Sequence, residues 1–195
     1  EKAVSRERAI LPVGVNPGFV MDHICLQVAR CCLRVDRVLA NRVVDATQRR
    51  GPLQKKIGSG MTVEQFSEEK RKGRLGHAGF RESVGFIAHG LGWELDSVEM
   101  TLDPVVAENP IETDHVRVEP GQVAGIDQRA IGLRNGREDI LLHIIMSVAG
   151  VNSIDEVIIQ GDPPLTCRFP EGVHGDTATV ALLVDGARRV SRLRP

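Results

Sequence analysis

The feature that most constrains this chain is the pair Asn135-Gly136, set between two long apolar segments. Both residue types accept the positive φ of a type I′ turn, whose twist matches that of two paired strands. Residues 123–133 and 139–148 are therefore predicted to form an antiparallel hairpin. Its second arm, Ile140-Leu141-Leu142-His143-Ile144-Ile145-Met146, is apolar at nearly every position. A strand without polar alternation needs cover on both faces, here by helices on one and a partner subunit on the other. His143, inside that arm, reads as a satisfied core residue rather than a catalyst.

Further strands follow from local pattern. Residues 33–45 are rich in β-branched side chains. Val98, Met100 and Leu102 alternate with Glu99, Thr101 and Asp103, the period of a half-buried strand. Residues 157–160 and 165–169 flank the turn residues Gly161-Asp162-Pro163-Pro164. Residues 9–15 read as one more short strand, after a helix tail at 1–8.

Helical spacing runs through Val20, Met21, Ile24, Cys25, Val28, Ala29 and Cys32. Thr62 with Gln65 makes a capping box ahead of Val63 and Phe66. Phe80, Val84, Ile87, Ala88 and Leu91 form a third apolar stripe, stopped at Gly90 and Gly92. A last helix starts near Gly175-Asp176, with Asp176 as N-cap, and carries Val180, Leu183, Val184, Ala187 and Val190. Gly51-Pro52 reads as a break and Gly58-Ser59-Gly60 as a turn. The expectation is an α+β fold, a mixed, largely antiparallel sheet covered by four helices, with residues 1–195 as one domain.

Composition narrows the partners. A net charge of -1 gives no electrostatic footprint for nucleic acid or an acidic membrane. The longest apolar stretches fall far short of a membrane span. Cys25, Cys31, Cys32 and Cys167 form no Cys-x-x-Cys pair, no His cluster completes a zinc pattern, and no metal is expected. Adjacent Cys31 and Cys32 suit a soft metal or a vicinal disulfide, but read more simply as small apolar side chains at a helix end. Free thiols point to a reducing compartment, hence the cytoplasm.

Spacing alone does not reveal a reaction. No Gly-x-Gly-x-x-Gly opens a helix after a strand, and there is no Walker loop, Gly-x-Ser-x-Gly elbow or His-Glu-x-x-His. A resemblance does point to one. Gly14-Val15-Asn16-Pro17-Gly18-Phe19-Val20-Met21-Asp22 is similar to the hinge of 2,4-diaminopentanoate dehydrogenase and the native amine dehydrogenases. That family has a fold like that of dihydrodipicolinate reductase. The similarity continues in order through residues 42–50, 52–58, 76–83, 121–125 and 175–179. The His-His, Lys and Pro-Ser-Gly-Thr stretch of true dihydrodipicolinate reductases is replaced by residues 45–56, which argues against dihydrodipicolinate as substrate. The residues around Glu171 and His174 also diverge from the family pattern.

The resemblance implies the substrate-binding and dimerisation half of an NAD- or NADP-dependent oxidoreductase acting on an amine or diamino acid. An amino-terminal Rossmann domain would carry the glycine-rich loop and the catalytic acid. Neither is in this sequence, and the strand at 9–15 would be the last one shared with that domain. This chain alone is then expected to bind NAD or NADP weakly or not at all. The resemblance places Asn16, with Pro17 and Gly18, against the nicotinamide; on its own, Asn16 also reads as a turn residue bonding its own backbone.

The remaining candidates line a substrate pocket. Asp45, at a strand end, and Arg49, Arg50 and Gln54 after it are candidates for the pocket wall, where a planar guanidinium suits a carboxylate; the competing reading for the arginines is a solvated loop, or an ion pair with Asp45. His77 lines the pocket or caps a helix, and His174 touches substrate. The alternative function is a freestanding binding or oligomerisation module of the same fold without catalysis. The coding sequence upstream of Glu1 separates the two.

Overall fold

The computed structural model describes residues 4–6, 8–11, 13–190 and 192. After a single 3-10 turn at Val4–Arg6, the elements are α1 (His23–Ala29), β1 (Arg34–Asp45), α2 (Gly51–Lys56), α3 (Val63–Arg71) and α4 (Phe80–Leu91). Then come β2 (Ser97–Val106), β3 (Ile111–Glu112), β4 (Arg117–Val118), β5 (Val123–Arg134) and β6 (Arg137–Ser147). Strands β7 (Ile154–Asp162) and β8 (Leu165–Phe169) precede α5 (Gly175–Val190).

Six strands form one sheet in the order β2-β5-β6-β1-β7-β8, and β3 pairs with β4 in a separate short ribbon. Only β1 and β6 run parallel; every other pairing is antiparallel. The α+β reading therefore holds. The predicted hairpin is β5-β6, and Asn135 and Gly136 adopt φ of 53° and 71°. Asp96 Oδ2 accepts from the Gly136 amide at 2.9 Å, and Arg134 lies over the Trp93 ring while its Nε donates to buried Asp139.

Period-two alternation sorts the sheet into two faces. Val38, Ala40 and Val44 of β1, Ile126 and Ala130 of β5, Ile140, Leu142 and Ile144 of β6, and Val157 and Ile159 of β7 are buried on one face. Helices α1 and α4 pack there through Cys25, Ala29, Phe80, Val84 and Ile87. Each valine, leucine, isoleucine or phenylalanine among them contributes roughly 1.5–3 kcal/mol when fully buried. On the opposite face Ile131, Leu141, Leu39 and Ile158 lie side by side in register, each half-buried by its neighbours. Strand β6 is thus apolar on both faces, as its sequence requires.

Four expectations are corrected. Among the described residues of the 9–15 segment there is no strand; it runs as irregular chain into the Asn16-Pro17 turn. Gly51-Pro52 opens α2 instead of breaking the chain, because a proline in the first turn has no amide hydrogen to leave unpaired. The structure therefore has five α-helices among the described residues, not four. The stripe on α5 is not a core stripe: Val180 is 61% and Leu183 57% exposed, while Ala178 and Leu182 make the contact with the core.

Candidate active site

The turn at Asn16-Pro17-Gly18 is held from three sides. Asp22, buried, caps α1, and its carboxylate accepts from the amides of Gly18 (2.7 Å) and His23 (2.6 Å) and from Ser83 Oγ of α4 (2.9 Å). The Pro17 ring nests on Gly79, where a Cβ would stand 2.5 Å from Pro17 Cγ. Gly79 has φ of 88°, so both space and backbone demand glycine at the start of α4. The Asn16 side chain does not bond its own backbone. Its Nδ2 donates to Met21 Sδ at 3.1 Å, and its buried Oδ1 has no donor among the described residues.

The end of β1 carries the arginines. Asp45 accepts from the amide and hydroxyl of Thr47, both at 3.0 Å, and takes no arginine among the described residues. The arginines pair with the first turn of α5: Arg49 Nε and Arg50 Nη2 donate to the two oxygens of Asp176, at 3.1 and 3.0 Å. Asp176 is therefore an ion-pair partner and not the N-cap. His174 takes that place, accepting from the Ala178 amide through its carbonyl (3.0 Å) and from the Thr177 amide through Nδ1 (3.4 Å). Gln54 is buried, its Nε2 donating to the carbonyls of Ala46, Thr47 and Arg49 and its Oε1 accepting from Thr113. It shapes the loop that presents Arg49.

His77 precedes α4, and burial pushes its imidazole below the ordinary range, with the backbone carbonyl of Ala78 opposing and the charges of Lys56 and Arg42 adding to the fall. Its Nδ1 lies 3.0 Å from the Ala78 carbonyl. A carbonyl only accepts, so Nδ1 carries the proton there and Nε2 of the neutral ring is left as an acceptor.

Arg42 was not singled out by sequence. It is 5% exposed on the core face of β1, opposite Asp155, which is 1% exposed. Arg42 Nη1 donates to Asp155 Oδ2 at 2.9 Å and Nη2 to the Val173 carbonyl at 2.7 Å. Burial lowers the pKa of Arg42 and raises that of Asp155, each opposed by the other's charge. The readable signal was a basic residue at an inward position of an otherwise apolar strand.

These groups line two adjoining cavities. The first, of about 340 Å³, takes in Asn16, Pro17, Arg42, Arg49, His77 and Asp176. The second, of about 200 Å³, takes in Asp45, Asp155, Glu171 and His174 together with the same Arg42 and Arg49. Arg42 and Arg49 line both. Arg50 and Gln54 line neither, and Gly18 faces a separate cleft against α5. The arrangement offers an anion-binding wall, a neutral imidazole acceptor and an unsatisfied amide oxygen around one space.

A mixed sheet of this topology defines a known structural class: the fold matches an amine dehydrogenase from Mycobacterium smegmatis with a TM-score of 0.82, at 20% identity, over 99% of this chain and 58% of that one. The sequence carries the assignment further. The 2,4-diaminopentanoate dehydrogenase C-terminal domain family matches residues 19–194, and the chain belongs to that family. A curated 2,4-diaminopentanoate dehydrogenase from Acetoanaerobium sticklandii is 30% identical over 193 residues, covering 96% of this chain. The chain spans 55% of that relative's length. Among the described residues, no helix is long and apolar enough to cross a membrane.

Proposed function

We propose that this chain is the substrate-binding half of an NAD- or NADP-dependent oxidoreductase acting on the CH–NH2 group of an amine or diamino acid. The observation that carries the reading is the first cavity, where Asn16, Arg49 and His77 meet from three separate segments of the chain. The catalytic acid and the dinucleotide phosphates would belong to a domain preceding this one.

The nicotinamide fits the residues present. Asn16 Oδ1 is a buried acceptor without a donor among the described residues, suited to a carboxamide N–H, and Pro17 would flank the ring. When bound, NAD or NADP supplies the hydride acceptor. The chain's own residues bind and orient. Arg49 spends only Nε on Asp176, so its two Nη groups remain for a substrate carboxylate. Arg42 adds positive charge behind it. His77 Nε2, neutral, accepts an N–H of the amine and turns the carbon-bound hydrogen toward the nicotinamide.

The second element of the proposal is a homodimer. The sheet face bearing Ile131, Leu141, Leu39 and Ile158 suits a second copy packed about a two-fold axis, because its rows alternate apolar with the hydrogen-bonded polar pairs Asp127–His143 and Glu156–Arg168.

Replacement of Arg49 tests the substrate assignment. In the intact enzyme, Arg49→Met should raise KM for an amine bearing a carboxylate at least tenfold, equivalent to about 1.4 kcal/mol, and leave an amine without one unaffected. Equal effects on both would place the carboxylate elsewhere.

A further inference from the structure

We propose that Arg42, Asp155 and Gly175 are positioning residues for Arg49: a buried ion pair between two strands fixes the first turn of α5, and that turn fixes the guanidinium that faces the first cavity. This rests on the reading given above, in which Arg49 receives a substrate carboxylate, and adds to it what holds Arg49 in place.

Arg42 and Asp155 are register partners on β1 and β7, with side chains 5% and 1% exposed. Each also reaches Val173. Arg42 Nη1 donates to Asp155 Oδ2 at 2.9 Å, while its Nη2 donates to the Val173 carbonyl at 2.7 Å. The Val173 amide donates back to Asp155 Oδ2 at 2.7 Å. The three residues close a ring of hydrogen bonds, and the pair grips Val173 by its amide and its carbonyl together.

Stability alone is a poor reason to bury two charges, since an apolar pair of similar volume often does as well or better. What an apolar pair cannot do is hold backbone polar groups, and this pair holds those just ahead of α5. The next residue, His174, caps the helix through its carbonyl, which accepts from the Ala178 amide at 3.0 Å. Gly175 and Asp176 follow in the first turn. The sheet therefore sets where α5 begins.

That turn holds Arg49 in two ways. Asp176 Oδ2 accepts from Arg49 Nε at 3.1 Å. Gly175 leaves the room in which the guanidinium lies, because a Cβ there would stand 2.9 Å from Arg49 Nη2 and 3.1 Å from Nη1. Arg42 is not a substitute for Arg49: both of its Nη groups already have acceptors. It acts on a bound carboxylate through α5 and Arg49.

The Nε–H signal of Arg49 in the NMR spectrum of this chain, assigned by its loss in Arg49→Lys, tests the chain of contacts in three variants. Arg42→Lys keeps a charge opposite Asp155 but has no fork with which to hold Asp155 and Val173 at once. Arg42→Met with Asp155→Leu removes both charges together. Gly175→Ala leaves the pair intact and presses only on the flexible end of Arg49, so folding survives. All three should move the Arg49 signal and speed its exchange with water; the first two should also move the Val173 amide, which Gly175→Ala leaves in place. In the intact enzyme, all three should raise the ratio of KM for an amine bearing a carboxylate to KM for one without, by about tenfold. An unmoved Arg49 signal in Gly175→Ala, or in the Arg42 variants, would overturn the proposal. So would failure of both Arg42 variants to fold, which would assign the pair to stability alone, or a KM ratio that rises in Arg49→Met and in none of the three. The carboxylate reading fails separately. If Arg49→Met leaves the KM ratio unchanged while the Arg49 signal responds as stated, that reading ends and the positioning of Arg49 stands. A ratio that rises in Arg49→Met beside an unmoved signal does the reverse.

Discussion

Gln128 holds His77 by both ends of its peptide backbone: Oε1 accepts from the His77 amide at 2.6 Å, and Nε2 donates to the His77 carbonyl at 3.0 Å. Gln128 is buried on β5, so the position of the imidazole is set from the sheet. Gln128→Leu leaves a partly buried amide and carbonyl without partners. Each costs about 1–3 kcal/mol. Chemical denaturation should show a loss of about 2–6 kcal/mol for the two groups together, and KM for the amine should rise in the intact enzyme. A variant as stable as the parent would mean that the clamp does not hold His77.

The imidazole also sets a pH dependence. The pKa of His77 is depressed in the folded state, chiefly by burial, so the unfolded chain binds the proton more readily. The stability associated with the neutral ring is fully present above the unfolded value, about 6.5. It is lost as pH falls through the window between that value and the lower folded pKa. The melting temperature should therefore decline just below neutrality, and His77→Asn should flatten that part of the profile. An identical decline in the variant would assign the effect to another group.

Much of the fold was legible because its signals are local. The Asn135-Gly136 turn, the Thr62–Gln65 capping box and the alternation in β2 each depend on a few neighbouring residues. Helix α2 was hidden because Gly51-Pro52 has the same composition whether it ends one element or starts another. The β3-β4 ribbon, two residues per strand, is too short to show a period. For α5 the stripe was visible but its covering was not, since a pattern does not say what packs on it.

The site divides along the same line. Asn16, His77 and Arg49 sit beside turn and strand-end residues that marked them. Arg42 needed Asp155, a partner 113 residues away, before its place in a core strand made sense. Gln54 looked like a pocket residue because its three backbone acceptors leave no trace in sequence.

Association through the open sheet face has a direct check. Light scattering at micromolar concentration should give twice the chain mass of 21.3 kDa. Leu39→Glu, in the middle of the apolar row, should return the monomer, since an unpaired charge buried in an interface is strongly unfavourable. A parent chain that stays at 21.3 kDa as concentration rises would remove the dimer from the account.

The central claim is that this chain places an amine against a nicotinamide through Asn16. Reduction of NAD or NADP by the intact enzyme, followed by the absorbance of the reduced nicotinamide, tests it most directly with Asn16→Ala beside the parent. Because Asn16 makes one weak bond to Met21 Sδ and leaves Oδ1 free, the substitution should cost less than about 1 kcal/mol of stability. The account predicts amine-dependent reduction by the parent and at least a tenfold lower kcat in the variant, about 1.4 kcal/mol in the barrier. An unchanged kcat with a lowered melting temperature, or a parent enzyme that reduces neither cofactor with any amine, would contradict it.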